Sequence, residues 1–215
     1  MNKNRQAFLA FATTVALVSC GSSSTAPKSS GSSFNPFNPN ISYGSLTDSR
    51  DEQAYKTVVI GTQTWMAQNL NYKPTTAPDS SWCSHDSASY CAIYGRLYDY
   101  ATALTVCPTG WHLPDTTEWN TLEAHVGGTA GTKLKANSNL WSTNMGADNY
   151  GFSALPSGSY YSGAFGDVGL SVYFWTATAS GSFDAWYRYM YCYGTDVYNG
   201  VDYHPAGLSV RCLKD

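Results

Sequence analysis

Six cysteines are the residues of this sequence whose chemistry depends most on their spacing. They lie at positions 20, 83, 91, 107, 192 and 212. Cysteine thiols can be acylated, can pair as disulfides or can bind zinc. The sequence contains no Cys-x-x-Cys pair, and its four histidines, at positions 85, 112, 125 and 204, are scattered. These spacings disfavour a zinc site, and we expect neither a metal nor any other cofactor.

Cys20 follows a segment with the pattern of a secretory signal. Two basic residues precede an apolar run over residues 7–18, which is shorter than the roughly 20 residues that a membrane-spanning helix needs. The run Leu17-Val18-Ser19-Cys20 resembles the lipobox of bacterial lipoproteins, in which the cysteine is acylated and becomes the new N-terminus. We therefore predict a signal peptide over 1–19 and a lipid anchor at Cys20. The alternative is ordinary secretion, with Cys20 as a free or disulfide-bonded thiol.

The five later cysteines are expected to fold in an oxidising compartment, where disulfides are the first hypothesis and zinc is the second. The short stretch between Cys83 and Cys91 suits a bond that staples a loop. A bond between Cys107 and Cys212 would tie the middle of the domain to its last strand. These pairings leave Cys192 as a cysteine without an assigned role, and an intermolecular bridge is one hypothesis for it.

Tyrosines alternate with other residues between Trp186 and Tyr193, and this period of two predicts a β-strand. The odd-numbered tyrosines would share one face, and either face could be the buried one. In one interpretation the tyrosines are sheet packing with hydroxyls that reach solvent. In the other they form an aromatic platform for sugar rings. The candidate ligand contacts are Trp175, Trp186, Tyr187, Tyr189, Tyr191, Tyr198 and Tyr203.

Signatures of catalysis are lacking in the sequence. It contains no Gly-x-Ser-x-Gly nucleophile elbow and no phosphate-binding glycine loop. Asp184, Asp196 and Asp202 are more typical of turns than of a calcium site. We therefore predict no catalytic residue and favour a protein that is not an enzyme.

The elements that must position these residues indicate a mixed fold. Residues 55–60 and 63–66 predict a hairpin, and residues 71–92 predict a loop. A short helix is expected over 96–105. A clearer helix begins at Asp115, whose capping-box partner is Glu118, and ends before Gly127. Further strands are predicted over residues 174–177, 183–193, 197–203 and 208–213.

Composition divides the mature chain into a tether and one domain. Residues 20–45 are rich in Ser, Gly, Pro and Asn and have too few apolar side chains to offset the entropy of ordering, so we expect a flexible tether. Residues 46–215 have the length of a single domain. Only 13% of the residues are charged, whereas 17 are tyrosines and 7 are tryptophans. This composition is typical of an extracellular, strand-rich domain, and no basic patch indicates a nucleic-acid partner.

Several spaced blocks of residues 46–215 resemble the Fibrobacter succinogenes major paralogous domain. The blocks occur in the order expected for that family: DSRD at 48–51, YKTV at 55–58, QTWMAQNL at 63–70, YGRLY at 94–98, CPTGWHLP at 107–114, FWTAT at 174–178 and SVRC at 209–212. The resemblance implies a relation in fold to C-type lectins and to formylglycine-generating enzymes. It therefore implies an α+β, C-type-lectin-like domain with two short helices, small antiparallel sheets and long irregular loops. A Cys107–Cys212 bond would fit the way such a sheet brings the chain ends together.

The related folds suggest two activities that the sequence can test. The Glu-Pro-Asn or Gln-Pro-Asp loop and the Trp-Asn-Asp strand of calcium-dependent lectins are both absent. Formylglycine-generating enzymes need two redox-active cysteines late in the domain, and of the two late cysteines here, Cys212 is already assigned to a structural bond with Cys107. A catalytic domain of that kind is therefore the least favoured alternative.

The sequence as a whole predicts a lipid-anchored, non-catalytic binding module at the bacterial outer membrane or cell surface. Its expected partners are the membrane, through lipid on Cys20, and a carbohydrate or cell-wall polysaccharide. The alternative is a structural or adhesive component that binds another cell-envelope protein. The carbohydrate prediction rests on aromatic content and on analogy of fold, and folds do not determine functions.

Overall fold

The computed structural model describes residues 35–143 and 145–215. A five-stranded sheet holds both ends of the described chain together, because the last strand inserts between two earlier ones. Its strands, in spatial order, are β1 (Gly44–Asp48), β2 (Gln53–Ile60), β3 (Gln63–Met66), β13 (Leu213–Lys214) and β6 (Trp111–His112). The predicted hairpin is confirmed as β2 and β3, which are joined at Gly61. The positive φ of this glycine, 62°, suits a tight turn.

A second, larger sheet carries most of the aromatic residues. Its spatial order is β11 (Tyr198–Tyr203), β10 (Asp184–Tyr191), β9 (Ser171–Ala179), β12 (Leu208–Ser209), β5 (Leu97–Tyr98) and β4 (Ser81–Trp82). A hairpin of β7 (Ser157–Tyr161) and β8 (Ala164–Val168) joins it through a parallel pairing of β7 with β9. Strand β11 therefore lies at an edge of the sheet.

Four short α-helices complete the described domain and confirm the predicted α+β class. They are α1 (Ala88–Tyr94), α2 (Tyr100–Ala103), α3 (Thr116–Val126) and α4 (Ala130–Leu134). The predicted capping box of α3 is present, since Asp115 Oδ1 accepts from the Glu118 backbone N–H and Glu118 Oε2 accepts from the Asp115 N–H, both at 2.8 Å. Within the described residues, no helix is long and apolar enough to cross a membrane.

Several short elements differ from the sequence predictions. The helix predicted over 96–105 is only α2, because Leu97 and Tyr98 pair instead with β12 and β4. The loop predicted over 71–92 contains β4 and the start of α1. The Gly-, Ser- and Asn-rich middle of the chain, for which no element was predicted, contains the β7–β8 hairpin. For Leu97 and Tyr98, partners far apart in sequence supply the hydrogen bonds.

Arg211 lies at the centre of the domain and is almost completely buried. Its guanidinium donates to Asn69 Oδ1 at 2.6 and 3.0 Å, and to the backbone carbonyls of Met66 and Phe152. It also lies 4.5 Å from the ring centroid of Phe152. Burial lowers the pKa of Arg211 to about 9, so the side chain is still charged at neutral pH. This arginine connects three distant segments of the chain, around residues 66–69, 152 and 211, and satisfies polar groups of the first two.

Both predicted disulfides are present, Cys83–Cys91 and Cys107–Cys212. The second joins residues separated by 105 positions and links the segment before β6 to the C-terminal strand. Cys192 is buried in the core, and the described residues include no free cysteine. The expectation of a spare thiol at Cys192 that could form an intermolecular bridge is therefore wrong.

Contacts with the domain begin upstream of residue 46, at which the domain was predicted to start. Phe37, Ile41 and Tyr43 pack against the core, and Asn38 Nδ2 donates to the carbonyl of Asp148 at 2.8 Å. These residues belong to the segment predicted as a flexible tether. Cys20, the signal peptide and the first part of the tether lie outside the described residues.

Candidate functional site

The strand β10 has one face in the core and one face toward the surface. Arg188, Met190 and the neighbouring Cys192 are buried, whereas Tyr187, Tyr189 and Tyr191 are half-buried. The structure thus decides the question that the alternating sequence left open: the tyrosines are on the more exposed face.

Helix α3 explains why the opposite face of β10 is buried. Arg188 Nε donates to Glu123 Oε1 at 2.9 Å, and its Nη2 donates to Asn120 Oδ1 at 2.7 Å. Burial raises the pKa of Glu123, and the charge of Arg188 opposes that shift. The helix therefore covers this side of the sheet and binds the buried Arg188 through two polar side chains.

The neighbouring strands add two further tyrosines to the exposed face. Tyr189 on β10 pairs with Tyr173 on β9 and with Tyr198 on β11. The Tyr189 ring centroid lies 5.8 Å from that of Tyr173 and 5.3 Å from that of Tyr198. Further ring contacts within the group span 5.4–6.2 Å. We call this group the tyrosine face, and its members are Tyr173, Tyr187, Tyr189, Tyr191 and Tyr198.

Two glycines allow the tyrosine rings to lie close to the backbone. A Cβ on Gly200 would lie 2.5 Å from Cζ and from the hydroxyl oxygen of Tyr187. A Cβ on Gly194 would lie 2.5 Å from Cε1 of Tyr191 and 2.8 Å from Cε2 of Tyr198. Real Cβ atoms do not approach other heavy atoms so closely, so larger residues at either position would displace the rings.

The hydroxyl groups of Tyr173 and Tyr187, on the tyrosine face, remain uncharged near neutral pH. Burial raises the pKa of Tyr173 and of Tyr187, and nearby carboxylates contribute to the increase. The Tyr173 hydroxyl donates to Asp167 Oδ2 at 2.8 Å. The face therefore offers aromatic rings together with neutral hydroxyls that can donate and accept hydrogen bonds.

Trp175 was predicted to be a ligand contact, but it belongs to the core. It pairs with Tyr187 across the sheet, but its side chain is completely buried, and its Nε1 donates to the carbonyl of Tyr98 at 2.8 Å. Its ring centroid lies 5.3 Å from that of Tyr100. Helix α2 and strand β5 therefore cover this end of the tyrosine-bearing side of the sheet.

Trp186 and Tyr203 do not lie on the tyrosine face. Trp186 pairs with Val201, and Tyr203 pairs with Asp184. Because side chains alternate along a strand, both lie on the opposite side of the sheet from Tyr187 and Tyr189. Tyr203 is 57% exposed, and Trp186 is half-buried. Four of the seven predicted ligand residues therefore come together, namely Tyr187, Tyr189, Tyr191 and Tyr198. Tyr173 was missed, although its alternation with the buried Val172 and Phe174 in β9 is visible in the sequence.

His112 bridges two carboxylates. Its Nε2 lies 2.8 Å from Glu118 Oε1, and its Nδ1 lies 2.7 Å from Asp215 Oδ1. Burial alone would lower the pKa of His112, but the hydrogen bonds and charges of the two carboxylates outweigh burial and raise it. This bridge ties the last residue of the chain to the capping box of α3. The described residues contain no group of three or more His, Cys, Asp or Glu side chains that could hold a metal ion.

Comparison with known proteins identifies one family. The family model described as the Fibrobacter succinogenes major domain matches residues 58–214. No curated protein matches the chain, and no solved structure does. The match spans β2 to β13 and therefore includes the whole tyrosine face.

Proposed function

The chain belongs to the Fibrobacter succinogenes major domain family, and we propose that it is a non-catalytic, surface-exposed module that binds polysaccharide through the tyrosine face. The observation that supports this function is the presence of five tyrosine rings in mutual contact on the more exposed side of one sheet. Exposed aromatic groups gathered in one patch mark an interaction site more often than scattered ones do.

The chemistry of the tyrosine face suits a neutral, hydroxyl-rich ligand. Sugar rings present apolar C–H groups that pack against aromatic faces, and their hydroxyls need both donors and acceptors. The phenol groups of Tyr173 and Tyr187 supply both and carry no charge at neutral pH. A polymer with many repeated sugar units can contact several rings at once, which strengthens binding without new kinds of contact.

The second part of the proposal concerns where the module works. We propose that lipid on Cys20 holds the protein at the bacterial outer membrane or cell surface, on the basis of the lipobox-like run Leu17-Val18-Ser19-Cys20. Buried acyl chains contribute about 0.8 kcal/mol per CH₂ group, so more than one chain gives a stable anchor. Metabolic labelling with a fatty acid tests this: wild type should incorporate the label, whereas equal labelling of Cys20→Ala would refute the anchor.

Affinity electrophoresis tests polysaccharide binding. The purified protein is run in native gels that contain one soluble cell-wall polysaccharide each, and binding appears as retardation relative to a gel without polysaccharide. Tyr189→Ala is the informative variant, because Tyr189 contacts four other rings of the tyrosine face. Each contact between aromatic rings contributes about 0.5–1.5 kcal/mol. Loss of the central ring should therefore disturb the tyrosine face, and we expect the retardation to be largely lost.

Phe183→Ala is the matched control for that experiment. Phe183 is an aromatic residue that is 71% exposed and lies just before β10, outside the tyrosine face. Its replacement should leave retardation unchanged. If a well-folded wild type is retarded by none of the polysaccharides, the proposed function is wrong. If both variants bind as wild type does, the sugar lies elsewhere on the protein.

A further inference from the structure

A concave site separate from the tyrosine face lies on the part of the domain where β4, the β7–β8 hairpin and the end of β11 meet. It is an open cleft of about 440 Å³. Aromatic side chains form much of its wall, namely Trp82, Tyr160, Tyr161 and Tyr203. The cleft thus contains Tyr203, the predicted ligand residue with the greatest exposure, together with three aromatic residues that sequence patterns did not identify.

The inner wall of the cleft is preformed. The ring centroids of Trp82 and Tyr160 are 4.3 Å apart, with only 19° between the ring planes. Backbone hydrogen bonds in both directions join Tyr160 to Gly207, at 2.8 and 2.9 Å. A Cβ on Gly207 would lie 2.8 Å from Trp82 and 2.9 Å from Tyr160, so only glycine leaves room for the stacked pair. A binding site whose rings are already held in place loses little entropy when a ligand arrives.

The outer wall of the cleft is exposed to solvent. Tyr161 is 53% exposed and Tyr203 is 57% exposed. The two rings belong to different strands, β7 and β11, and both line the same cleft. A ligand in the cleft would therefore contact aromatic groups from more than one direction.

The charge of the cleft is negative. Asp79 and Asp99 both line it, and among the described lining residues none carries a positive charge. Asp99 uses Oδ1 to accept from the Thr102 backbone N–H at 2.8 Å, as the N-cap of α2. A backbone amide does not neutralise a carboxylate, so both charges remain available to a ligand. Trp82 and Tyr160 cover one face of each other by stacking, and the electron-rich ring faces that border the cleft add to the negative potential.

We propose that this cleft binds an organic ammonium group. A substituted ammonium ion is attracted to the faces of aromatic rings and pairs with carboxylates, and the cleft supplies both without a competing cation of its own. The negative charge selects against phosphates, carboxylates and other anions. This site is separate from the tyrosine face, and the proposal does not depend on polysaccharide binding there.

The test compares cationic ligands with neutral molecules of the same shape. Choline and its neutral isostere 3,3-dimethylbutan-1-ol form one pair, and glucosamine and glucose form the other. Ligand-observed saturation-transfer NMR on the intact protein measures binding of each at millimolar concentrations. We expect choline and glucosamine to bind at least about threefold more tightly than their neutral partners, because only they gain from the rings and the carboxylates.

Variants locate the site. Asp79→Asn removes a charge while preserving shape, and Tyr161→Ala removes an exposed ring; each should weaken choline binding about two- to fivefold. Asp86→Asn is the matched control, because Asp86 is exposed at the end of the 3₁₀ turn Ser84–Asp86, which follows β4, and does not line the cleft. Tyr189→Ala, on the tyrosine face, should also leave choline binding unchanged.

Three results would overturn the proposal. The first is that neither cation binds. The second is that each cation binds no more tightly than its neutral partner. The third is full binding retained in both Asp79→Asn and Tyr161→Ala. If glucose and glucosamine bind equally and Tyr161→Ala weakens both, the cleft is a neutral sugar site instead.

Discussion

The two disulfides should differ in how much they stabilise the domain, and the lengths of the loops that they close determine the difference. Cys83 and Cys91 are 8 positions apart, whereas Cys107 and Cys212 are 105 positions apart. A cross-link restricts the unfolded chain more strongly when the loop is longer. The loop-entropy relation assigns about 2.6 kcal/mol to the short loop and about 4.8 kcal/mol to the long one. We therefore expect removal of Cys107–Cys212 to cost about 2 kcal/mol more.

The comparison is informative because packing losses nearly cancel between the two pairs. Each pair joins one buried cysteine, Cys91 or Cys212, to one that is only partly buried. The double variants Cys83→Ala/Cys91→Ala and Cys107→Ala/Cys212→Ala therefore lose similar sulfur contacts. Neither variant creates a new free thiol.

Equilibrium unfolding in urea, monitored by tryptophan fluorescence, measures the free energy of unfolding of wild type and both double variants. The slope of that free energy against urea should also rise more for the long loop, because its unfolded chain exposes more surface without the cross-link. Equal losses in the two variants, or a greater loss for the short loop, would falsify the entropic argument. In that case native-state packing around the sulfurs would determine the stability.

Three further predictions concern the core, the C-terminus and the tyrosine face. Arg211→Lys should reduce the free energy of unfolding by about 3 kcal/mol or more in urea titrations, since lysine cannot reproduce the forked hydrogen bonds of the buried guanidinium. His112→Gln should destabilise the protein most below the unfolded pKa of histidine, about 6.5, and progressively less as the pH rises through the higher pKa of the folded state. The pKa of His112 is raised by folding, so its stabilisation is complete below the unfolded pKa and is lost as pH rises through the folded one; a pH-independent difference would refute this. Gly200→Ala should displace Tyr187 and weaken polysaccharide retardation, whereas Gly181→Ala, where an added Cβ meets nothing within 4 Å, should not.

Much of the fold could be predicted from patterns that act over a few residues. The capping box of Asp115 and Glu118 sets the start of α3, and Gly61 sets the turn between β2 and β3. Both rely on hydrogen bonds between near neighbours in sequence. In contrast, Leu97 has helical spacing with residues that follow it, yet Leu97 and Tyr98 form β5. The backbones of β4 and β12 offer them hydrogen bonds that no local pattern reveals.

The candidate site shows the same division. The alternation of tyrosines in β10 could be predicted, but the exposed face could not, because aromatic or apolar residues occupy both sides of the strand. Helix α3 covers Arg188 and Met190, and α2 with β5 covers Trp175, so burial follows from what packs on each side of the sheet. Tyr173 joins the site through strand register alone.

By itself, the sequence predicted the α+β class, the two disulfides, the α3 helix and the central tyrosine strand. The helix, the strand and the Cys83–Cys91 bond follow from residue type and short-range spacing, whereas the fold class and the Cys107–Cys212 bond also fit the family resemblance. Only the tertiary structure decided which aromatic residues are available to a ligand. It placed Trp175 in the core, assembled the tyrosine face from β9, β10 and β11, and moved Tyr203 into a different, negatively charged cleft. The physical reason is that exposure is a property of the surfaces that meet, and those surfaces come from segments far apart in the chain.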